Sequence, residues 1–208
     1  KKLVAYHEAG HAILFHVLPD VGPVYSVSII PTGVGAAGYT MPLPEKDEMF
    51  NTKGQMLQDI TVSLGGRVAE ELVFDTVTTG ASNDIERATA MARAMVTQYG
   101  MSERFGLMAL ENVQDRYLSG HTVLNCGQET ATEIDNEVMR ILKQAYEQAI
   151  ELLEANRECL DRIADFLIEK ETIYAEEVDM ILAGKSKEEI IAYIDNKDKK
   201  KSTDSNEE

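Results

Sequence analysis

Apolar positions recur every three or four residues through most of this chain, the period of a helix with one buried face. Leu3, His7, Gly10, His11, Leu14 and Leu18 share the first such stripe, which predicts a helix over residues 2–18, stopped by Pro19. The next helix is predicted over 52–74, with Leu57, Ile60, Leu64 and Val68 inward and Thr52 and Gln55 as a capping box. In its middle, Gly65 and Gly66 each cost about 1 kcal/mol against Ala, which points to another backbone packing closely there. A third helix over 83–99 carries Ile85, Ala88, Ala92, Met95 and Tyr99, with Asn83 and Glu86 resembling a second capping box. A long one follows over 129–155, with Ile134, Val138, Ile141, Leu142, Ala145 and Leu152 inward. Shorter stripes lie at Leu160, Ile163 and Leu167, then at Val178, Ile181 and Leu182. After Gly184, Ser186 and Glu189 cap one more short helix ending near Ile194.

Period-two alternation is confined to one region. Residues 25–30 alternate and are β-branched, so they read as a strand, turned by Pro31, Thr32 and Gly33. Residues 35–40 are small and followed by Pro42 and Pro44, the composition of a strand at a sheet edge. Such an edge can pair with an extended peptide; it is equally the edge of an ordinary hairpin. Residues 45–51 read as a charged, mobile loop. Residues 101–129 read as irregular, with apolar patches at 105–110 and at Tyr117 and Leu118, and the charged tail 196–208 reads as disordered. The fold class is therefore mainly α, with a small β-sheet or hairpin. It divides into a domain over 1–184 and an appendage over 185–208.

Composition narrows the function. Of 208 residues, 44% are apolar and 6% aromatic, with no Trp, enough for one domain with its own core or a domain plus appendages. A net charge of −16 argues against sequence-blind binding of nucleic acid. Cys126 and Cys159 do not form a C-x-x-C pair and suit a reducing compartment. No apolar run approaches the roughly 18 residues of a membrane span. No signal peptide and no Walker-type phosphate loop is visible. The chain opens at Lys1-Lys2, without Met, and reads as a piece of a longer protein.

One stretch carries chemistry. In His7-Glu8-Ala9-Gly10-His11 the imidazoles lie four residues apart, about 40° around a helix axis, so both reach one metal ion. Glu8 projects beside that face, where it reaches a water in the metal's open position but is poorly placed as a ligand. This is the H-E-x-x-H arrangement of a zinc peptidase. The alternative is a pair of core histidines satisfied by hydrogen bonds, with Glu8 solvated. A catalytic zinc takes three protein ligands. Asp84, in the first turn of the third helix, is the candidate third ligand, and equally an acid favoured there by the helix dipole. A carboxylate near a buried histidine can orient its ring. Periodicity puts Glu71 at the centre of the second stripe and Glu70 well off it; either also fits an exposed acid or an ion pair with Arg67. His16, opposite the ligand stripe, and His121, in a loop, read as surface residues.

These pieces resemble a known family. Leu3-Val-Ala-Tyr-His-Glu-Ala-Gly-His11, Gly38-Tyr39-Thr40, Leu64-Gly-Gly-Arg-Val-Ala-Glu-Glu71 and Thr79-Gly-Ala-Ser-Asn-Asp-Ile85 occur in the order of the peptidase domain of FtsH-type ATP-dependent zinc metalloproteases. The later Glu169-Lys-Glu-Thr172 and Glu176-Glu-Val178 are also similar, so the resemblance covers about residues 1–183. It implies a mostly helical zinc-peptidase domain with one Zn2+ on His7, His11 and Asp84, and Glu8 as catalytic base. It matches Glu70, rather than Glu71, to the family's acid near the zinc, and makes Gly38, Tyr39 and Thr40 the substrate-pairing edge. It further implies a homohexamer, protein or peptide substrates that are unfolded or membrane proteins, and an ATPase motor in the parent chain that uses the ATP. The parent would be anchored in a membrane, most readily the bacterial cell membrane, by N-terminal segments outside this sequence, with the peptidase on the cytoplasmic side. A reading from another class makes the chain a helical assembly module with a vestigial metal site; the complete set of catalytic residues counts against it.

Overall fold

The stripe that carries the histidines folds as helix α1 (Lys2–Val17), closed by Leu18 in extended conformation just before Pro19. From Ala5 to Leu14 every residue is buried, so α1 is covered on all sides rather than on one. In this computed structural model, which describes residues 1–33, 36–43, 50–113 and 120–204, the remaining elements are arranged around it. Strands β1 (Val24–Ser28) and β2 (Tyr39–Pro42) precede helix α2 (Lys53–Phe74). A 3₁₀ turn (Thr79–Ala81) leads into α3 (Ser82–Thr97), and the β3 (Glu111–Val113) and β4 (Thr122–Leu124) hairpin into the long α4 (Gln128–Ala155). The chain then continues through α5 (Arg157–Lys170), β5 (Thr172–Tyr174), α6 (Ala175–Leu182) and α7 (Lys187–Asp204).

Helix α2 lies between two apolar clusters. Its Val62, Val68 and Ala69 join α1, β1, α5, β5 and α6 in the first; its Met56, Ile60 and Leu64 join α3 and α4 in the second. The α1–α2 crossing is close because both helices have glycine at the contact. A Cβ on Gly10 would lie 2.4 Å from the Gly65 carbonyl oxygen, and one on Gly65 would lie 3.0 Å from that of Gly10.

The three-stranded sheet has the order β2-β1-β5, antiparallel throughout, with Val27 opposite both Thr40 and Ile173 and a bulge between Val24 and Ser26. Among the described residues, β2 is thus an edge strand, with Pro42 at its end where a missing N–H costs no ladder bond.

Several expectations need correction. β1 ends at Ser28, and the Ile29 N–H turns to the Glu171 carbonyl. β5 has only three residues, too few to show alternation in the sequence. The stretch 101–129 read as irregular holds the β3–β4 hairpin. Asn83 does not cap α3: Thr78 caps the preceding 3₁₀ turn through Gly80 N–H, and α3 follows without a side-chain cap. The ends of the α3 stripe, Ile85 and Tyr99, are exposed, and Val96 is buried instead. On α4, Leu153 rather than Leu152 is fully buried. Helix α7 continues past Ile194 to Asp204. Ser186 and Glu189 start it by reciprocal bonds, Ile190 is fully buried in the first cluster, and Lys197 pairs with Glu176 on α6. The loop expected over 45–51 falls largely outside the described residues, as do Tyr117, Leu118 and Gly35.

Candidate metal centre

His7 and His11 stand one turn apart on α1 with side chains about one-tenth exposed, their Nε2 atoms 3.2 Å apart. Each ring is held from behind through Nδ1. His11 Nδ1 lies 2.7 Å from the Val62 carbonyl oxygen on α2. A carbonyl only accepts, so Nδ1 donates, and in a neutral ring Nε2 is left as the acceptor. His7 Nδ1 lies 2.7 Å from Glu70 Oε1. Gly66 makes room for this ring, since a Cβ there would sit 2.4 Å from His7 Nε2.

Glu70 is fully buried, and its needs are met. Oε1 faces His7, and Oε2 accepts from Thr78 N–H at 3.1 Å and from the Thr78 hydroxyl at 2.9 Å. Three hydrogen-bond partners thus satisfy its two buried oxygens. Arg67 forms no ion pair with Glu70 or Glu71; it donates to the Thr78 carbonyl at 2.8 Å and so ties α2 to the loop leading into α3.

That loop delivers Asp84. Its Oδ2 lies 3.1 Å from His7 Nε2 and 3.4 Å from His11 Nε2, the half-buried Asp84 standing in the first turn of α3. Burial alone would raise its pKa; the two histidines outweigh that and hold it well below the usual carboxylate range. Burial likewise pulls His7 down, but hydrogen bonds to Asp84 and Glu70 prevail and raise it.

Three ligand atoms, one from each of His7, His11 and Asp84, therefore converge within 4.8 Å. With Nδ1 of each ring turned to an acceptor, neutral rings present three acceptors here, and a cation, or a proton between His7 Nε2 and Asp84, relieves their mutual repulsion. Ligands about 2.0–2.1 Å from a tetrahedral zinc lie about 3.4 Å from one another. The separations of 3.1, 3.2 and 3.4 Å match that edge length. The donor set fits zinc.

Glu8, buried beside the histidines, turns the other way, toward β2, where its Oε2 accepts from Thr40 Oγ1 at 2.7 Å. His7, Glu8, His11, Asp84 and Glu70 line one cleft of about 370 Å³ together with Gly38, Tyr39 and Thr40. Glu71 is not among them; it accepts from the Tyr146 hydroxyl on α4. His16 is not a surface residue either. Its side chain is 7% exposed, with Nδ1 3.2 Å from Asp179 on α6. His121 is exposed, in the segment leading into β4. The sequence offered no sign of Thr78 as a partner of Glu70, because a threonine before a glycine turn is common in any loop.

Residues 1–181 match peptidase family M41. The chain is 52% identical over 185 residues to an "ATP-dependent zinc metalloprotease FtsH" of Clostridium perfringens, covering 89% of the chain and 26% of that relative. It is 49% identical over 187 residues to "ATP-dependent zinc metalloprotease FtsH 1" of a Thermoanaerobacter species, covering 88% of the chain and 30% of the relative. A Thermotoga maritima protein of the FtsH name is 46% identical over 186 residues, with 88% and 30% covered. The chain thus spans between 26% and 30% of the length of these curated relatives.

Proposed function

The chain belongs to peptidase family M41, and from that premise we propose that it is the zinc-dependent endopeptidase domain of an FtsH-type protease. His7, His11 and Asp84 would hold one zinc, and Glu8 would act as general base. The observation that best supports this assignment is the convergence of one ligand atom from each of His7, His11 and Asp84 at spacings of 3.1 to 3.4 Å. Zinc bound there would lower the pKa of a coordinated water and polarise the scissile carbonyl.

The chain's own residues do the rest. Glu8 accepts the proton of the attacking water and returns it to the leaving amine. Glu70 fixes the ring of His7 from behind, and the Val62 carbonyl does so for His11, which keeps both Nε2 lone pairs directed into the cleft. Strand β2 offers an edge on which an extended substrate can add its backbone, with Gly38, Tyr39 and Thr40 along the cleft. Recognition of this kind reads backbone more than sequence and suits unfolded segments of proteins, including membrane proteins.

The relatives' names give ATP dependence, and the rest of the wider setting is proposed from the family resemblance. An ATP-consuming motor in the parent chain would deliver substrates, the parent would assemble as a homohexamer, and a membrane anchor would keep the peptidase on the cytoplasmic side. No described helix here is long and apolar enough to cross a membrane. We propose the peptidase unit at residues 1–184 and an appendage over 185–208; Ile190 of α7 packs into the first apolar cluster.

Glu8→Gln tests the mechanism. The variant is expected to keep fold and zinc while losing cleavage of an unstructured peptide; retained cleavage would remove Glu8 as the base.

A further inference from the structure

Gly38, just before β2, and Thr40, within it, are two positions apart at the β2 end of the cleft. Both meet Glu8. An ideal Cβ on Gly38 would lie 3.0 Å from Glu8 Oε1 and 2.7 Å from the Ser28 carbonyl oxygen. Thr40 Oγ1 lies 2.7 Å from Glu8 Oε2 and 3.2 Å from the Glu8 carbonyl oxygen. Glycine leaves room for one carboxylate oxygen while the threonine hydroxyl donates to the other.

Resting on the peptidase reading above, we propose that Thr40 is the positioning residue of the general base. A glutamate has three side-chain torsions, and a base must present one oxygen to a proton within hydrogen-bond reach. The Thr40 hydroxyl engages Oε2 and so fixes the plane of the carboxylate, leaving Oε1 to take the proton. The hydroxyl is borne by the edge strand itself. The element that would align the substrate backbone therefore also aims the base, and the two alignments are set together.

The test compares Thr40→Val and Thr40→Ser with the wild-type chain, each loaded with zinc and assayed on an internally quenched unstructured peptide. Valine keeps β-branching and shape and removes the donor; serine keeps the donor. Thr40→Val is expected to bind zinc as the wild type does and to hold KM within about twofold, while kcat falls on the order of 10- to 100-fold, the cost of a misplaced reacting group. Thr40→Ser is expected to recover most of that loss. In a Glu8→Gln background Thr40→Val should add no further loss, because its effect runs through Glu8. A crystal structure of the valine variant should show the Glu8 carboxylate displaced from Gly38. If valine prevents folding, Thr40→Ala replaces it. An unchanged kcat, a raised KM with kcat intact, or an unmoved Glu8 carboxylate overturns the proposal and leaves Thr40 a strand contact. An active wild type beside a fully active valine variant refutes this inference alone. A wild type that neither binds zinc nor cleaves refutes the peptidase reading, and the proposal falls with it.

Discussion

His7 Nδ1 and Glu70 Oε1 lie 2.7 Å apart, and the carboxylate has no exposed surface. Removing it leaves the buried His7 N–H and the part-buried Thr78 N–H without their acceptor. Glu70→Ala is expected to destabilise the chain by about 1–3 kcal/mol in urea unfolding. It should also weaken zinc about 10- to 100-fold in a chelator competition, since the ring loses its orienting partner. Wild-type zinc affinity in the variant would remove Glu70 from the site.

Glu71, one residue on, faces the other way. Its carboxylate accepts from Tyr146, whose pKa is pushed up to about 12, first by that bond and then by burial. Glu71→Gln should leave zinc affinity unchanged. Paired with Tyr146→Phe in a double-mutant cycle, it should show a coupling energy in stability alone. Loss of zinc in Glu71→Gln would contradict the geometry.

Two glycines separate packing from chemistry. A methyl on Gly10 meets the Gly65 carbonyl at 2.4 Å, and backbone yields little, so Gly10→Ala should destabilise by about 1–3 kcal/mol. A methyl on Gly66 meets the His7 ring at 2.4 to 2.6 Å. A ring can swing, and Ala gains about 1 kcal/mol of helix propensity, so Gly66→Ala should keep much of its stability and lose zinc. Equal zinc retention in both variants would contradict this division.

His16 gives a pH dependence away from the metal. Burial lowers its pKa from the usual 6.5, and Asp179 offsets this only in part. The unfolded chain therefore binds the proton more readily than the folded one. This contribution to stability is fully present above about pH 6.5, falls as pH drops through the interval down to the lowered folded value, and is flat below that. Urea unfolding of wild type and His16→Leu from pH 7.5 to 5 should diverge in that sense, the wild type losing more on acidification. Parallel curves would show that His16 is not buried as a neutral group.

The sequence spelled out the elements with long apolar stripes, and the helix period brings His7 and His11 to one face of α1 with Glu8 beside them; Asp84 comes from α3, a meeting that the period left open and the family resemblance implied. It misled where a helix has two buried faces. The stripe Leu57, Ile60, Leu64 is the α4 side of α2, so following it led to Glu71. The side that meets the histidines is marked by Gly65, Gly66 and Ala69, small residues that carry no hydrophobic signal and report only that something comes close. β5 was invisible for a related reason: three residues cannot establish a period, and their pairing with β1 is made by a partner more than 140 positions away. His16 reads as surface in the sequence because α6, which covers it, is likewise distant along the chain.

The most direct measurement is zinc content per chain after reconstitution, in the wild type, His11→Ala and Asp84→Asn. About one zinc in the wild type, lost or strongly weakened in both variants, is the result expected of a three-ligand site with one open position. Zinc retained in Asp84→Asn would return Asp84 to a helix-end acid, and a folded wild type that takes up no zinc would contradict the account at its centre.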